Sequence, residues 1–387
     1  MRKSPKDTVL VVSITEPKYS EAWMTQMTQD LAPNVVFVSL LGETVGWSET
    51  DGIPTYTLLK QHKFLPKRVS LSLFQKKLVK KFNQLLESID QANIGVLCHY
   101  LTTAVYLDKI WAHKNVHGLI HCHGHDVTWN RKVEKLPILP AHGIGYTKKV
   151  KSLIGHVSLI ANSNCTQDKL ITFGFPQEDI YLRYLGVDIR QITPNLPSVP
   201  SMLNILYLGR LTDFKGPLET IDAFALAVDN GLKARLDIVG SGHLKTQCQN
   251  RVNKLGLNDK ITFHGAVSSD IAMSFFQKAD IFTAHNKLSE KTGQEEALGV
   301  SVLEAMAHGI PVVTGRSGGV KETVLDCETG ILFDSNDISA HANAFIGLQA
   351  DEKLRRAMGK KARQRVENMF DVTAQRPIRE ILSLISN

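Results

Sequence analysis

Two long trains of alternating strand-like and helical runs are interrupted once, at residues 192–201, where Ile-Thr-Pro-Asn-Leu-Pro-Ser-Val-Pro-Ser brings three prolines and no apolar period. In the first train, residues 8–14, 35–40, 94–99, 118–122 and 157–161 are short, continuously apolar runs, as expected of parallel strands buried on both faces. Ser20 can cap a following helix, and residues 101–112 read as another. The second train repeats the pattern at 204–209, 235–239, 260–263, 281–284, 310–314 and 330–333. Residues 350–367 are strongly helical, and 371–385 form one more helix that Pro377 either starts or kinks. Strand and helix in strict alternation predict an α/β chain of two Rossmann-like, doubly wound domains, with ligands at the carboxyl ends of the strands. The expected division is 1–190, a linker at 191–202, 203–368, and a terminal helix at 369–387.

At 387 residues each domain can bury its own core. No run approaches the 18 or so apolar residues needed to cross a bilayer, and the first residues lack a signal-peptide pattern, so a cytoplasmic location is expected. Cys98, Cys122, Cys165, Cys248 and Cys327 are scattered and odd in number, as for thiols in a reducing compartment.

The most informative segment runs from Gly293 to Val313 and holds Glu296 and Glu304 with seven residues between them. Residues 297–307 read as a short helix closed by Gly309. Its first turn, at Leu298, Gly299 and Val300, would present backbone N–H groups suited to a phosphate. Eight helical residues span roughly 12 Å, so two carboxylates could grip opposite ends of a nucleotide sugar. The spacing alone fits equally a solvated Glu304 and an ordinary loop Glu296. Upstream, Gly209-Arg-Leu-Thr-Asp-Phe-Lys-Gly216 places Arg210 and Lys215 after a strand, where a planar fork and a point charge can hold a diphosphate or simply face solvent. Gly240-Ser-Gly242 follows another strand, but Lys245 stands where a dinucleotide fingerprint needs glycine, which disfavours a nicotinamide oxidoreductase.

In the first domain His121-Cys-His-Gly-His-Asp126 follows a strand. If the strand continued, His121, His123 and His125 would share one face, and zinc is conceivable. No comparable second cluster and no Asp-x-Asp pair accompanies them, so no metal is expected.

Taken in order, these segments resemble the retaining GT-B glycosyltransferases of glycosyltransferase family 4. The two glutamates before Ala-Met-Ala and Gly-Ile-Pro-Val-Val, the Gly-Arg-Leu-x-x-x-Lys-Gly run, and Ser317-Gly-Gly-Val-Lys-Glu322 carry the resemblance, with Lys321 where proline is common. The segment from Ile160 to Leu170, followed by Leu185-Gly-Val-Asp188, extends it, and Pro17–Trp23 is similar to the first loop of the colanic acid type of exopolysaccharide enzymes. The resemblance implies a metal-independent transferase using a nucleoside diphosphate sugar, most often UDP-linked, as donor substrate, with no further cofactor. It implies that Glu304 takes the ribose, Arg210 and Lys215 the diphosphate, Glu296 and the amides after it the sugar, and that His123 faces the donor sugar. Gly240, Gly242 and Val267 would line the nucleotide side. A soluble small-molecule acceptor, a GT-B phosphorylase or epimerase using His123 and Asp126, and an inactive GT-B binding protein are the alternatives.

Lys63, Lys67, Arg68, Lys76, Lys77, Lys80 and Lys81 fall in one stretch without an acid, and Phe74, Leu78, Phe82 and Leu85 recur there at near-helical spacing. This predicts an amphipathic helix whose basic flank either faces solvent or rests on anionic lipid or an anionic acceptor. Nucleic acid is not expected, because no recognised binding motif accompanies the patch.

Overall fold

The computed structural model describes residues 8–16, 22–62, 64–89, 93–127, 145–194 and 202–385. Two compact units divide the chain: Met1–Arg183 together with Arg376–Asn387, and Tyr184–Gln375. The sequence pattern had set these divisions at 190 and 369. The first crossing lies earlier because Val187 pairs with Asp371 and donates its N–H to Phe370 O at 2.8 Å, so residues after Arg183 already belong to the second unit. Of the expected linker, residues 195–201 lie outside the described residues, as do the first-loop residues 17–21 and Lys63.

Among the described residues the first unit holds an eight-stranded sheet of order β3-β4-β2-β1-β5-β6-β7-β8. Its strands are β1 (Val9–Ser13), β2 (Val35–Gly42), β3 (Gly46–Thr50), β4 (Ile53–Lys60), β5 (Ile94–His99), β6 (Val116–Cys122), β7 (Val157–Ala161) and β8 (Ile180–Leu182). All pair in parallel except β3 with β4. The parallel core strands are almost wholly buried, as their unbroken apolar runs require. The β3–β4 hairpin was not expected. Asp51 (φ 51°) and Gly52 (φ 77°) form its two-residue turn, and this Asp-Gly pair was the available signal. β8 was also missed, being only three residues long.

The expected helix at 101–112 is shorter: Leu101–Ala104 is helical, and the chain continues as a 3₁₀ turn at Val105–Leu107. The basic amphipathic segment is two helices, Lys67–Leu73 and Gln75–Glu87, meeting at Phe74. Leu78, Phe82, Leu85 and Leu86 of the second are buried in the core of the unit, so its apolar face has no contact left to make. Lys76, Lys77 and Lys80 are exposed, and Lys81 is half-buried.

Among the described residues the second unit holds a six-stranded parallel sheet of order β11-β10-β9-β12-β13-β14. Its strands are β9 (Leu203–Leu208), β10 (Ala234–Val239), β11 (Ile261–Gly265), β12 (Ile281–Ala284), β13 (Val312–Gly315) and β14 (Gly330–Phe333). Strand order reverses beside β9, so the loops after β9 and β12 open where a doubly wound sheet receives its ligand. After Pro377 the chain forms the helix Ile378–Ile385, so the proline starts a helix rather than kinking one.

Candidate active site

The second unit gathers most of the candidate residues around the ends of β9 and β10. Beyond β9 the chain turns through Arg210 into a 3₁₀ turn, Asp213–Lys215, whose Phe214 is buried. This loop is clamped by the glycine turn after β10. Leu211 donates its N–H to Ser241 O at 2.9 Å, and Leu244 donates to Leu211 O at 3.2 Å. A Cβ on Gly240, whose φ is 134°, would stand 1.9 Å from Gly209 O, and one on Gly242 would stand 2.3 Å from Leu211 O. Both glycines therefore serve first to let two backbones touch, which fixes where Arg210 and Lys215 start. Val267 is half-buried in the loop that follows β11.

Arg210 is exposed, with its guanidinium 5.3 Å from the Phe214 ring centroid. Lys215 is 13% exposed and forms an ion pair with Glu296 Oε2, whose side chain is equally covered. Burial pushes the Glu296 carboxyl up, but the Lys215 ammonium, its hydrogen bond, the Arg210 charge and the Gly299 N–H together hold it below the usual carboxylate range. The Glu296 backbone is pinned as well. Gly319 donates its N–H to Glu296 O at 2.9 Å, and a Cβ on Gly318 would stand 1.9 Å from the same oxygen. Ser317 Oγ donates to Glu295 Oε2 at 3.3 Å, so the Ser317–Gly319 turn acts as the back wall of the glutamate loop.

The helix after Glu296 starts later than the sequence suggested: it is Val300–Ala307, with Gly299 at φ 87° before it and Ala297 and Leu298 buried in the loop. Glycine in the left-handed region is a poor helix residue, and the turn it makes delays the helix by three positions. Glu304 sits in the second turn and is half-buried. Burial raises its carboxyl to about 7 even though Lys215 opposes the shift. The two glutamates thus differ in charge state near neutrality, with Glu296 ionised and Glu304 close to half protonated. Lys287 was not singled out from the sequence. It spans Glu219 at 2.6 Å and Asp213 at 3.4 Å and donates its backbone N–H to Phe214 O, bracing the loop that carries Arg210 and Lys215. A lone lysine carries no local motif, so no sequence signal marked it.

In the first unit the histidines gather differently from expectation. β6 ends at Cys122, so His125 does not continue the face shared by His121 and His123. The third member is His99, at the end of β5 and in register with His121. His99 Nδ1 lies 3.2 Å from His123 Nε2, and one ligand nitrogen from each of the three falls within 4.8 Å of the others. Burial drives all three imidazoles to lower pKa, His99 to about 3, so all are neutral. Asp126 fastens the loop: Oδ1 accepts from His123 N at 3.0 Å and Oδ2 from Leu101 N at 2.8 Å. Its burial raises its carboxyl to about 6 against these hydrogen bonds. Tyr100 holds φ at 71°, a strained value for a side-chain-bearing residue, and packs its ring 4.5 Å from that of His123.

Residues 190–365 match the family model described as Glycosyl transferases group 1. The chain is 30% identical over 246 residues to a putative colanic acid biosynthesis glycosyltransferase of Escherichia coli, covering 62% of this chain and 59% of that protein. The chain therefore spans about three-fifths of that relative's length. Among solved structures it is similar to a sucrose-phosphate synthase of Thermosynechococcus elongatus, with TM-score 0.79 and 19% identity over 98% of both chains. It is also similar to HepE of Anabaena, solved in complex with UDP and glucose, with TM-score 0.77 and 19% identity over 98% of this chain and 100% of that one. At that identity the likeness speaks to the fold.

Proposed function

We propose, from the match of residues 190–365 to the group 1 glycosyl transferase model within a GT-B fold, a retaining, metal-independent transferase moving a hexose from a nucleoside diphosphate sugar, UDP-linked, to a saccharide acceptor. The observation that carries this reading is the Lys215–Glu296 ion pair with Arg210 beside it, built on two interlocked glycine turns. Without donor, Lys215 is neutralised by Glu296. A diphosphate brings more charge than one carboxylate and draws Lys215 toward itself, which frees Glu296 to accept hydrogen bonds from sugar hydroxyls. Arg210, exposed beside Phe214, can close on the same phosphates. Gly240, Gly242, Val267, Leu298, Gly299 and Val300 frame the nucleotide, and a half-protonated Glu304 can both donate to and accept from ribose hydroxyls.

The acceptor oxygen bonds to the anomeric carbon as the bond from that carbon to the diphosphate oxygen breaks. The acceptor proton passes to the departing phosphate, and attack and departure on one face retain configuration. Arg210 and Lys215 stabilise the charge that grows on the leaving group. Arg210→Ala should lower turnover by roughly 10²–10³ with the donor still bound, as when a preorganised donor to developing charge is lost. Steady-state kinetics with NMR of the product anomer checks this, and normal turnover in the variant, an inverted product or loss of activity in EDTA would each sink the reading.

We place the acceptor in surface polysaccharide assembly, as a lipid-linked or anionic saccharide, with the protein held at the inner membrane face by Lys76, Lys77, Lys80 and Lys81. The support is the colanic acid relative and the exposed lysines, worth roughly 1 kcal/mol each near an anionic surface. With its apolar face buried, the helix Gln75–Glu87 offers charge alone, so binding should vanish at high salt. Co-sedimentation with anionic vesicles, wild type against the four lysines changed to Gln, decides it: equal pelleting of the two overturns the membrane claim.

A further inference from the structure

A trio of imidazoles at the carboxyl ends of β5 and β6 is left over by the transfer chemistry, which needs at most His123. His99 and His121 stand opposite each other on neighbouring parallel strands, and His123 follows two residues on, so all three project to one side of the sheet end. Cys98 and Cys122 alternate to the other side and lie in the core of the unit, which leaves an all-nitrogen set. Two nitrogens bound to a tetrahedral zinc ion at its usual bond lengths lie about 3.3 Å apart. The separation of His99 Nδ1 from His123 Nε2 is 3.2 Å, and the His121 ligand atom completes a triangle with no side above 4.8 Å.

We propose that His99, His121 and His123 form a binding site for a borderline-soft divalent transition metal, zinc above all, with three protein nitrogens and one open coordination position. Imidazole nitrogen suits zinc, copper and nickel and excludes magnesium and calcium, which require oxygen. Asp126 fixes the backbone that carries the site, accepting from His123 N–H and Leu101 N–H. Tyr100, strained at the end of β5, keeps its ring against His123 and limits the directions that ring can take. A metal here would tie up a lone pair of His123, so the ion is not offered as part of sugar transfer. The inference stands apart from the transferase reading, because its readout is metal binding itself.

The test uses the full chain, stripped with chelator and dialysed, then titrated with Zn²⁺ against a chromophoric competitor and separately with Co²⁺. One zinc per chain and the visible bands of four-coordinate Co²⁺ are expected. His121→Gln should weaken zinc by more than the roughly 10–100-fold that losing a group which only orients a ligand costs. His125→Gln, outside the cluster, should leave the affinity unchanged. Equal zinc affinity for wild type and His121→Gln overturns the proposal by placing the ion elsewhere. Should His121→Gln lose its cooperative melt, the wild-type Co²⁺ spectrum decides alone: octahedral bands, or none, overturn it.

Discussion

The two sheets end in opposite solutions to one problem, how to keep titratable groups in a covered place. At the ends of β5 and β6 burial leaves three imidazoles neutral, with lowered pKa, and raises the Asp126 carboxyl to about 6. At the ends of β9 and β12 the covered groups are ions in partnership, Lys215 with Glu296 and Lys287 with Glu219 and Asp213. Desolvation acts on both regions, and what differs is the counter-ion. Glu296 has Lys215 against it and stays ionised, while Glu304, in the second turn of the helix that follows, feels Lys215 without pairing to it and is raised to about 7. The number of partners each carboxyl finds decides between charge and proton.

The largest effect that should break this contrast comes from Lys215→Ala. It leaves Glu296 covered without its partner, which should cost about 3–5 kcal/mol of stability on top of a roughly 10²–10³ loss of turnover. Lys215→Ala with Glu296→Gln should recover much of the stability and none of the activity. Denaturant melts beside kinetics separate the two, and a single variant as stable as wild type would show that the pair is not holding a buried charge.

A middle effect is expected from Glu304→Gln. Because the folded pKa of Glu304 lies above its unfolded value, the native state favours the protonated form. The stability it contributes is complete below the unfolded value, near 4.5, and is lost as pH rises through about 7. Gln cannot ionise, so the variant should gain on the order of 1–3 kcal/mol relative to wild type at pH 8 and nothing at pH 4, discounting for partial solvent access. Glu296 has the opposite sign: its stabilisation is present above the unfolded value and is lost as pH falls through its lowered one. Urea midpoints from pH 4 to 8 check both, and a gain for Glu304→Gln that is independent of pH would refute the assignment.

The smallest effect belongs to a pair at the surface. Arg251 Nη2 donates to Asp222 Oδ2 at 2.7 Å, but the arginine side chain is 40% exposed. Arg251→Ala should cost less than about 1 kcal/mol, and less still in high salt. A thermal melt that moves as far as that of Lys215→Ala would mean cover does not set the value of an ion pair here.

Much of this was legible in the sequence, for reasons that differ by region. Continuous apolar runs marked β5, β7 and β14 to the residue, because a parallel strand covered on both faces must be apolar throughout. β3 is exposed along most of its length, so it carries no such run, and only the Asp51-Gly52 turn betrayed it. Arg210, Lys215, Glu296 and Glu304 are near neighbours in motifs of fixed spacing, and the structure brings them within electrostatic reach in one unit. His99 was invisible for the opposite reason. It meets His121 through strand register, and no local pattern connects residues that lie in different strands. The start of the helix at Val300 was misplaced because Gly299 reads as a tolerated helix residue until its backbone angle is known.

The return of the last helix gives the order of synthesis a physical meaning. Arg376 O accepts from Arg183 Nε at 2.8 Å, Arg379 reaches Leu31 O, and Ile378, Ile381 and Leu382 are buried in the unit that began at the other end of the chain. Each such aliphatic is worth roughly 1.5–3 kcal/mol when fully covered. A ribosome emits that unit's sheet before its closing helix, with the whole second unit made in between. The early half must therefore wait, with the seat of that helix open, until the second unit has been made.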